Sequence, residues 1–525
     1  MARKDTRASK SASTAMGTCL TALIAAGIIG SAQAAPPPGT TRVIVAFKPG
    51  AAAKMKSAVA AAKGSVKHEI FGMNAMAVEV PNVALKGLEN NPNVEYIEAD
   101  VLRRPFALAT ASAKPYAGGQ LVPYGIKLVQ ADQLPDTNAA NRKVCIIDSG
   151  YDRKHEDLSA NSVDGDNDPG TGSWETDENH HGTHVAGTIA AVNNRGTGVV
   201  GVAPNRKLQL HIEKVFGKDG WAYSSSLTTA VNKCGDAGAN VISMSLGGGA
   251  PSRTEKNAFN TWYARGVLSV AAAGNDGNRV VSYPAGYDSV VMVGALDEKK
   301  AWADFSQYNS KVELSAPGVS VLSTVPMGGG LEGAIAVGGI NYAAGSMEGS
   351  PVKSASGALA DFGIGDSTMD GMAGKVCLIQ RGSIDFAVKV SNCEKSGGVG
   401  AVIYNNVAGA FGGTLGTTVT GIPSVSASDT DGAAMKAQLG QSATVAVKAT
   451  NYAYYDGTSM ATPHVSAVAA LVWSYKPECT AAQIRTTLNN SAMDLGAAGR
   501  DIKYGYGLVQ AKAAYDRLMK MGCGK

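Results

Sequence analysis

Four apolar runs constrain the fold of this chain more than any other feature. They are Lys143–Asp148, closed by Ser149-Gly150, then Leu208–Val215, Val241–Leu246 and Val267–Ala273. Each ends on polar or glycine positions. Helical patterns lie among them, from His181 to Val192, Ser225 to Ala237 and Thr254 to Arg265. Strands alternating with helices predict βαβ units around a mostly parallel sheet, an α/β fold. Open sheets of that kind place their sites at strand ends. Asp148 closes the first strand in such a position.

A second stretch lies near the C-terminal end, Asp456-Gly-Thr-Ser459-Met-Ala-Thr-Pro463-His-Val465. It leads into an apolar run, Val465–Trp473, that reads as a buried helix. Pro463 fits the first turn of that helix, where no intrahelical N–H is lost. Ser459 then stands at a helix N-terminus with free donors and the helix dipole beside it. A serine there is usually a cap, but the same setting serves an oxygen nucleophile, because the attacked carbonyl develops negative charge next to those donors. Asp148, His181 and Ser459 together supply nucleophile, base and orienting carboxylate. His181 and His184 also permit a metal-ligand reading, without a third ligand in a known pattern.

Organisation follows from length and composition. A chain of 525 residues exceeds one ordinary domain. With 45% hydrophobic residues, 17% charged residues and 64 glycines, it reads as a loop-rich globule rather than a disordered or coiled-coil chain. Arg3, Lys4, Arg7 and Lys10 precede an apolar core from Cys19 to Ile29 and the motif Ala32-Gln33-Ala34. That pattern predicts a secretory signal cut after Ala34, with an apolar core too short to span a bilayer. Residues 119–525 carry 33 basic and 36 acidic side chains, so the main body offers no basic face for nucleic acid. Six cysteines follow the signal: Cys145, Cys234, Cys377, Cys393, Cys479 and Cys523. An even number in an exported chain favours disulfides, with the pairing left open.

Thr41–Asp100 predicts a small α+β unit: strands at Arg42–Phe47, Met76–Val80 and Val94–Ile97, helices at Ala51–Ala62 and Val83–Glu89. About 60 residues without a cysteine make a marginal core that needs a partner. Arg103–Gly118 reads as an exposed linker. Gly328–Val447 is rich in small residues and predicts an inserted domain, with strands at Val376–Gln380, Ala401–Tyr404 and Thr444–Val447 and a helix at Ile384–Lys395. The main body resumes at Lys448.

Three motifs then match one family in order. Val144–Gly150, His181–Gly187 and Gly457-Thr-Ser459-Met-Ala-Thr-Pro463 resemble the signatures of subtilisin-like serine proteases (subtilases). The resemblance covers nearly all residues from 41 to 520. It implies a three-layer α/β domain over 119–327 and 448–525, with Ser459 as nucleophile, His181 as base and acid, and Asp148 as orienting partner. Ala271–Asp276 resembles the oxyanion segment, which makes Asn275 one donor and the Ser459 N–H the other. Ser245-Leu246-Gly247-Gly248 and Ala272-Ala273-Gly274 resemble the walls of the primary pocket, and Ser282 its floor. Gly220-Trp221-Ala222 would be the edge strand that pairs with substrate. These glycine-rich walls imply a large apolar or aromatic side chain before the cut.

The same resemblance makes 35–118 a ferredoxin-like inhibitory propeptide and its linker, and 328–447 a mostly-β protease-associated domain. The latter rests on Cys377–Gly382, Phe386, Lys389, Asn392 and Gly397-Gly398. Bridges are expected at Cys377–Cys393 within the insert and Cys479–Cys523 at the tail, and Cys145 with Cys234 between sheet and helix either form a third bridge or stay as two free buried thiols. A structural calcium ion is expected from Gln120, Asp157, Val192, Asn194, Thr197 and Val199, while catalysis needs no cofactor. The implied protein is a secreted monomeric endopeptidase without a membrane anchor, made as a self-processed zymogen. It acts on protein or peptide substrates through an acyl-enzyme, with its own propeptide as intramolecular inhibitor. A catalytically inactive binding protein on the same scaffold is the alternative.

Overall fold

A computed structural model describes residues 36–106, 108–109 and 119–523. The expected signal segment, 1–34, lies outside them. The central sheet has seven strands, all parallel, in the order Val312–Pro317, Val290–Leu296, Leu268–Ala272, Val241–Met244, Lys143–Asp148, Gln209–Lys214, Val163–Asn167. Three of these, Val163–Asn167, Val290–Leu296 and Val312–Pro317, had no counterpart among the four runs read from sequence.

Side chains alternate across each strand. Val144 and Ile146 therefore join one apolar layer, and Cys145 and Ile147 the other. The first layer is covered by helices His181–Ala190 and Thr458–Trp473. All 16 residues of the latter are buried, as expected for a helix apolar on every side. The second layer is covered by Ser224–Asp236 and Arg253–Ala264, and the Cys145–Cys234 bridge ties that helix layer to the sheet. The Cys479–Cys523 bridge closes the tail, with Cα atoms 5.2 Å apart. Strand Lys143–Asp148 lies between Gln209–Lys214 and Val241–Met244, so the chain leaves it first to one side and later to the other. That reversal opens a crevice at the strand's carboxyl end, where Asp148 sits.

The inserted region is a mixed eight-stranded sheet with helices Phe386–Lys395 and Asp429–Lys436. Cys377 and Cys393 form a bridge inside it. The expected return at Lys448 needs correction. Strand Ser442–Thr450 pairs with Gly330–Val337 out to Gly330↔Thr450, so the insert runs through Thr450. Its flanks, Val321–Thr324 and Tyr452–Asp456, pair antiparallel. The chain thus leaves and rejoins the main body on adjacent strands, which makes an insertion there compatible with the core.

Residues 40–99 form a four-stranded sheet with helices Ala52–Ala61 and Leu85–Glu89, and strand Ser65–Glu69 was not foreseen. One face of this sheet packs on its own helices through Val43, Val45, Met55 and Val59. The other carries Ile44, Ala46 and Ile70, and its neighbour Met73 also packs into the second layer of the main body. Two carboxylates complete the docking. Glu98 accepts from the N–H groups of Arg253 and Thr254 (2.7 and 2.9 Å) at one helix start. Asp100 accepts from the Ser225 N–H and hydroxyl (2.9 and 2.7 Å) at the next. Each satisfies free N–H groups at the positive end of a helix dipole, typically worth about 0.3–1 kcal/mol when exposed and more when buried.

Candidate active site

The segment after Asp100 departs furthest from expectation. The stretch read as an exposed linker begins as strand Leu102–Pro105, antiparallel to Ala222–Tyr223 on one side and Leu246–Gly247 on the other. The edge strand expected at Gly220–Ala222 is therefore shifted to Ala222–Tyr223. Gly220 and Trp221 instead line the cleft with Arg104, Pro105 and His181. Beyond it, Leu108–Ala109 pairs with Tyr455–Asp456. The expected maturation region ends in residues outside those described, 107 and 110–118.

Phe106 lies between these two pairings. Its N–H donates to the Ser245 carbonyl (3.1 Å) and the Ser459 Oγ (3.0 Å). Its carbonyl oxygen accepts from Asn275 Nδ2 (2.8 Å) and from the Ser459 backbone N–H (3.3 Å). Asn275 is held for this task, because its Oδ1 accepts from both the N–H and the hydroxyl of Thr458 (2.9 Å each). The Phe106 ring rests on Gly247. A Cβ at that glycine would come within 2.5 Å of both the ring and the Ser282 hydroxyl. Ala272 ends a buried strand, and Gly274 follows with φ +110°, where any side chain would overlap Gln307.

Asp148 Oδ1 accepts from the Ser149 N–H (2.8 Å) and from His181 Nδ1 (2.7 Å). That contact fixes the His181 tautomer with Nδ1 protonated and Nε2 open. His181 begins its helix because Asp177 holds the Thr183 N–H and hydroxyl (2.8 and 2.7 Å) and Ser149 Oγ accepts from Gly182 N–H (2.8 Å). His181 Nε2 is buried without a hydrogen-bond partner. Ser459 Oγ donates to the Ser245 carbonyl at 2.7 Å. His184 faces elsewhere: its Nε2 contacts the carbonyls of Val321 and Ala453 (3.0 and 3.1 Å), and its ring stacks on Tyr455. Burial holds its pKa down near 3. It is thus a packed structural histidine, not one half of a metal pair.

The model of the subtilase family matches residues 139–337 and 322–507. The chain belongs to the subtilase family. A second model, the fervidolysin N-terminal prodomain, matches residues 40–100. Subtilisin DY of Bacillus licheniformis is 46% identical over 217 residues, 39% of this chain and 76% of that protein. Subtilisin E of Bacillus subtilis is 36% identical over 313 residues, 57% of this chain and 77% of that protein. The crystal structure of a psychrophilic subtilisin-like protease, Apa1 from Pseudoalteromonas sp. AS-11, superimposes with a TM-score of 0.62 at 45% identity. It covers 77% of this chain and all of that one. This subtilase is accordingly a serine endopeptidase preceded by a prodomain.

The remaining expected residues also converge. Asp157 Oδ1 accepts from Asn194 Nδ2 (2.6 Å) and Oδ2 from the Val199 N–H (2.8 Å). Gln120 Nε2 donates to the Val192 carbonyl (3.1 Å), and the Thr197 N–H to Asn194 Oδ1 (3.1 Å). Sequence reasoning missed Phe106, Arg103, Glu255, Glu98 and Asp100. The only available signal was Arg103-Arg104-Pro105-Phe106 itself, a charged pair before an aromatic residue inside a stretch otherwise poor in both.

Proposed function

We propose that this subtilase is an exported, self-processing endopeptidase and that its first substrate is its own bond after Phe106. The observation that carries the reading is the Phe106 carbonyl between Asn275 Nδ2 and the Ser459 N–H, with paired backbone on both sides of it. Ser459 attacks that carbonyl. Its hydroxyl first exchanges acceptors, from the Ser245 carbonyl to His181 Nε2, which then returns the proton to the leaving amine. Asp148 orients the imidazole and stabilises its cation, and the two N–H donors stabilise the oxyanion. The prodomain remains on the cleft as inhibitor after the cut, held by Glu98 and Asp100. Residues 1–34 direct export, and the insert is a protease-associated domain on a monomeric enzyme. No helix among the described residues is long and apolar enough to cross a membrane. A Ser459→Ala chain is expected to accumulate uncut. Normal processing of that purified variant without added protease would refute the reading.

Calcium is a second element of the proposal. Gln120, Asp157, Asn194, Thr197 and the carbonyls of Val192 and Val199 offer one carboxylate with amide and carbonyl oxygens, a donor set suited to a hard cation. The reading is supported by the buried Asp157 carboxylate, which lies within hydrogen-bond distance of both the Asn194 side-chain amide (2.6 Å) and the Val199 backbone N–H (2.8 Å) of this loop. The ion would brace this loop and takes no part in the chemistry. Calcium should raise the thermal midpoint of the inhibited enzyme, by mass action on the folded state. An Asp157→Asn variant with an undiminished calcium response would remove the site.

A further inference from the structure

We propose that the processed enzyme reads an arginine at the fourth side chain before the cut bond, and that Glu255 is the residue that reads it. The inference rests on Phe106 being the first residue before that bond, which makes Arg103 the fourth. Leu102 and Arg104 are exposed, whereas Arg103 is completely buried, so the extended segment turns one side chain inward. Arg103 Nε donates to Glu255 Oε1 (2.9 Å) and Nη2 to Glu255 Oε2 (2.6 Å). Nη2 also donates to the Ala250 carbonyl at 3.0 Å, and Nη1 to the Leu102 carbonyl at 3.0 Å. All partners except Leu102 belong to the protease and remain when the prodomain departs.

The protease side of the pocket is held by contacts of its own. Glu255 lies in the first turn of helix Arg253–Ala264, where its N–H is held by the Ser252 hydroxyl (3.2 Å). Its carboxylate is wholly buried and accepts from the Tyr287 hydroxyl (2.6 Å), which burial and the adjacent carboxylate keep protonated. A carboxylate out of water with one neutral donor is costly without a cation. The two-pronged contact suits the planar guanidinium fork and not a lysine ammonium. Backbone pairing with Ala222–Tyr223 and Leu246–Gly247 accepts any sequence, so discrimination falls to such side-chain pockets. The buried pair Arg42–Asp100 and the part-buried pair Arg485–Glu313 each join residues within one unit and read no incoming chain.

The test uses processed enzyme and peptides that copy residues 102–106 before a chromogenic leaving group, with the Arg103 position set to Arg, Lys, Ala or Leu. Wild type should favour Arg over Ala and Leu by roughly 10- to 100-fold in kcat/KM, the scale of charge-assisted hydrogen bonds, with Lys between. Glu255→Gln should erase most of that preference, chiefly by lowering kcat/KM for the Arg peptide. Equal cleavage of the Arg and Ala peptides by wild type overturns the subsite while leaving the protease reading intact. So does a preference that survives in Glu255→Gln. If no peptide is cut by enzyme that reacts with a serine-directed inhibitor, the placement of Phe106 before the cut falls, and the subsite with it.

Discussion

The Phe106 carbonyl oxygen lies 2.8 Å from Asn275 Nδ2, in a chain where 169 residues separate the two. The contact is oriented, because Thr458 fixes the other end of the Asn275 amide through two 2.9 Å hydrogen bonds. A donor held in this way would cost no reorganisation in the proposed step that turns the carbonyl into an oxyanion.

Asn275→Ala should therefore leave peptide binding nearly unchanged and lower kcat. Loss of the corresponding donor in subtilisin costs roughly 100- to 1000-fold, and that known range is the expectation adopted for this relative. Steady-state kinetics on one peptide checks it. A kcat within threefold of wild type would take Asn275 out of the site.

Acid stability offers an independent check on the serine helix. His464 Nδ1 donates to the Met460 carbonyl (2.8 Å), while Nε2 is buried, unpartnered and packed on Gly125, where a Cβ could not fit. Burial lowers its pKa to about 4, and that of His184 to about 3. Both are neutral when folded and take up protons when unfolded. Their contribution is fully present above pH ~6.5 and is lost as pH falls from there toward the folded values, by about 1.4 kcal/mol per pH unit for each histidine. His464→Gln keeps a donor for Met460 and should remove about one proton from the pH 4–6 slope of unfolding free energy, measured in Ser459→Ala. An unchanged slope would mean that His464 is charged in the folded chain.

Much of this was legible in the chain. The parallel sheet followed from apolar runs with polar ends, and Asp148, His181, Asn275 and Ser459 stood in recognisable local patterns. The structure sets Asn275 and Ser459 on Phe106 and places His181, paired with Asp148, in the cleft lined by the preceding Arg104 and Pro105. What stayed hidden was pairing between distant segments. Leu102–Pro105 has no hydrophobic alternation to mark a strand, because its order comes from two neighbours that lend it their edges. Glu255 lies in the first turn of a helix, where an acid is common, and only the fold sets it against Arg103. The boundary at Thr450 was missed for the same reason, since register with Gly330 is a tertiary fact.

The most direct test of self-processing is the position of the first cut. Purified full chain should be allowed to mature and its earliest products read by intact mass and N-terminal sequencing. A released segment ending at Phe106, with a new N-terminus at Ala107, is the predicted result, whatever trimming follows. A first cut at another bond, with Phe106 still joined to Ala107 in active enzyme, would contradict it.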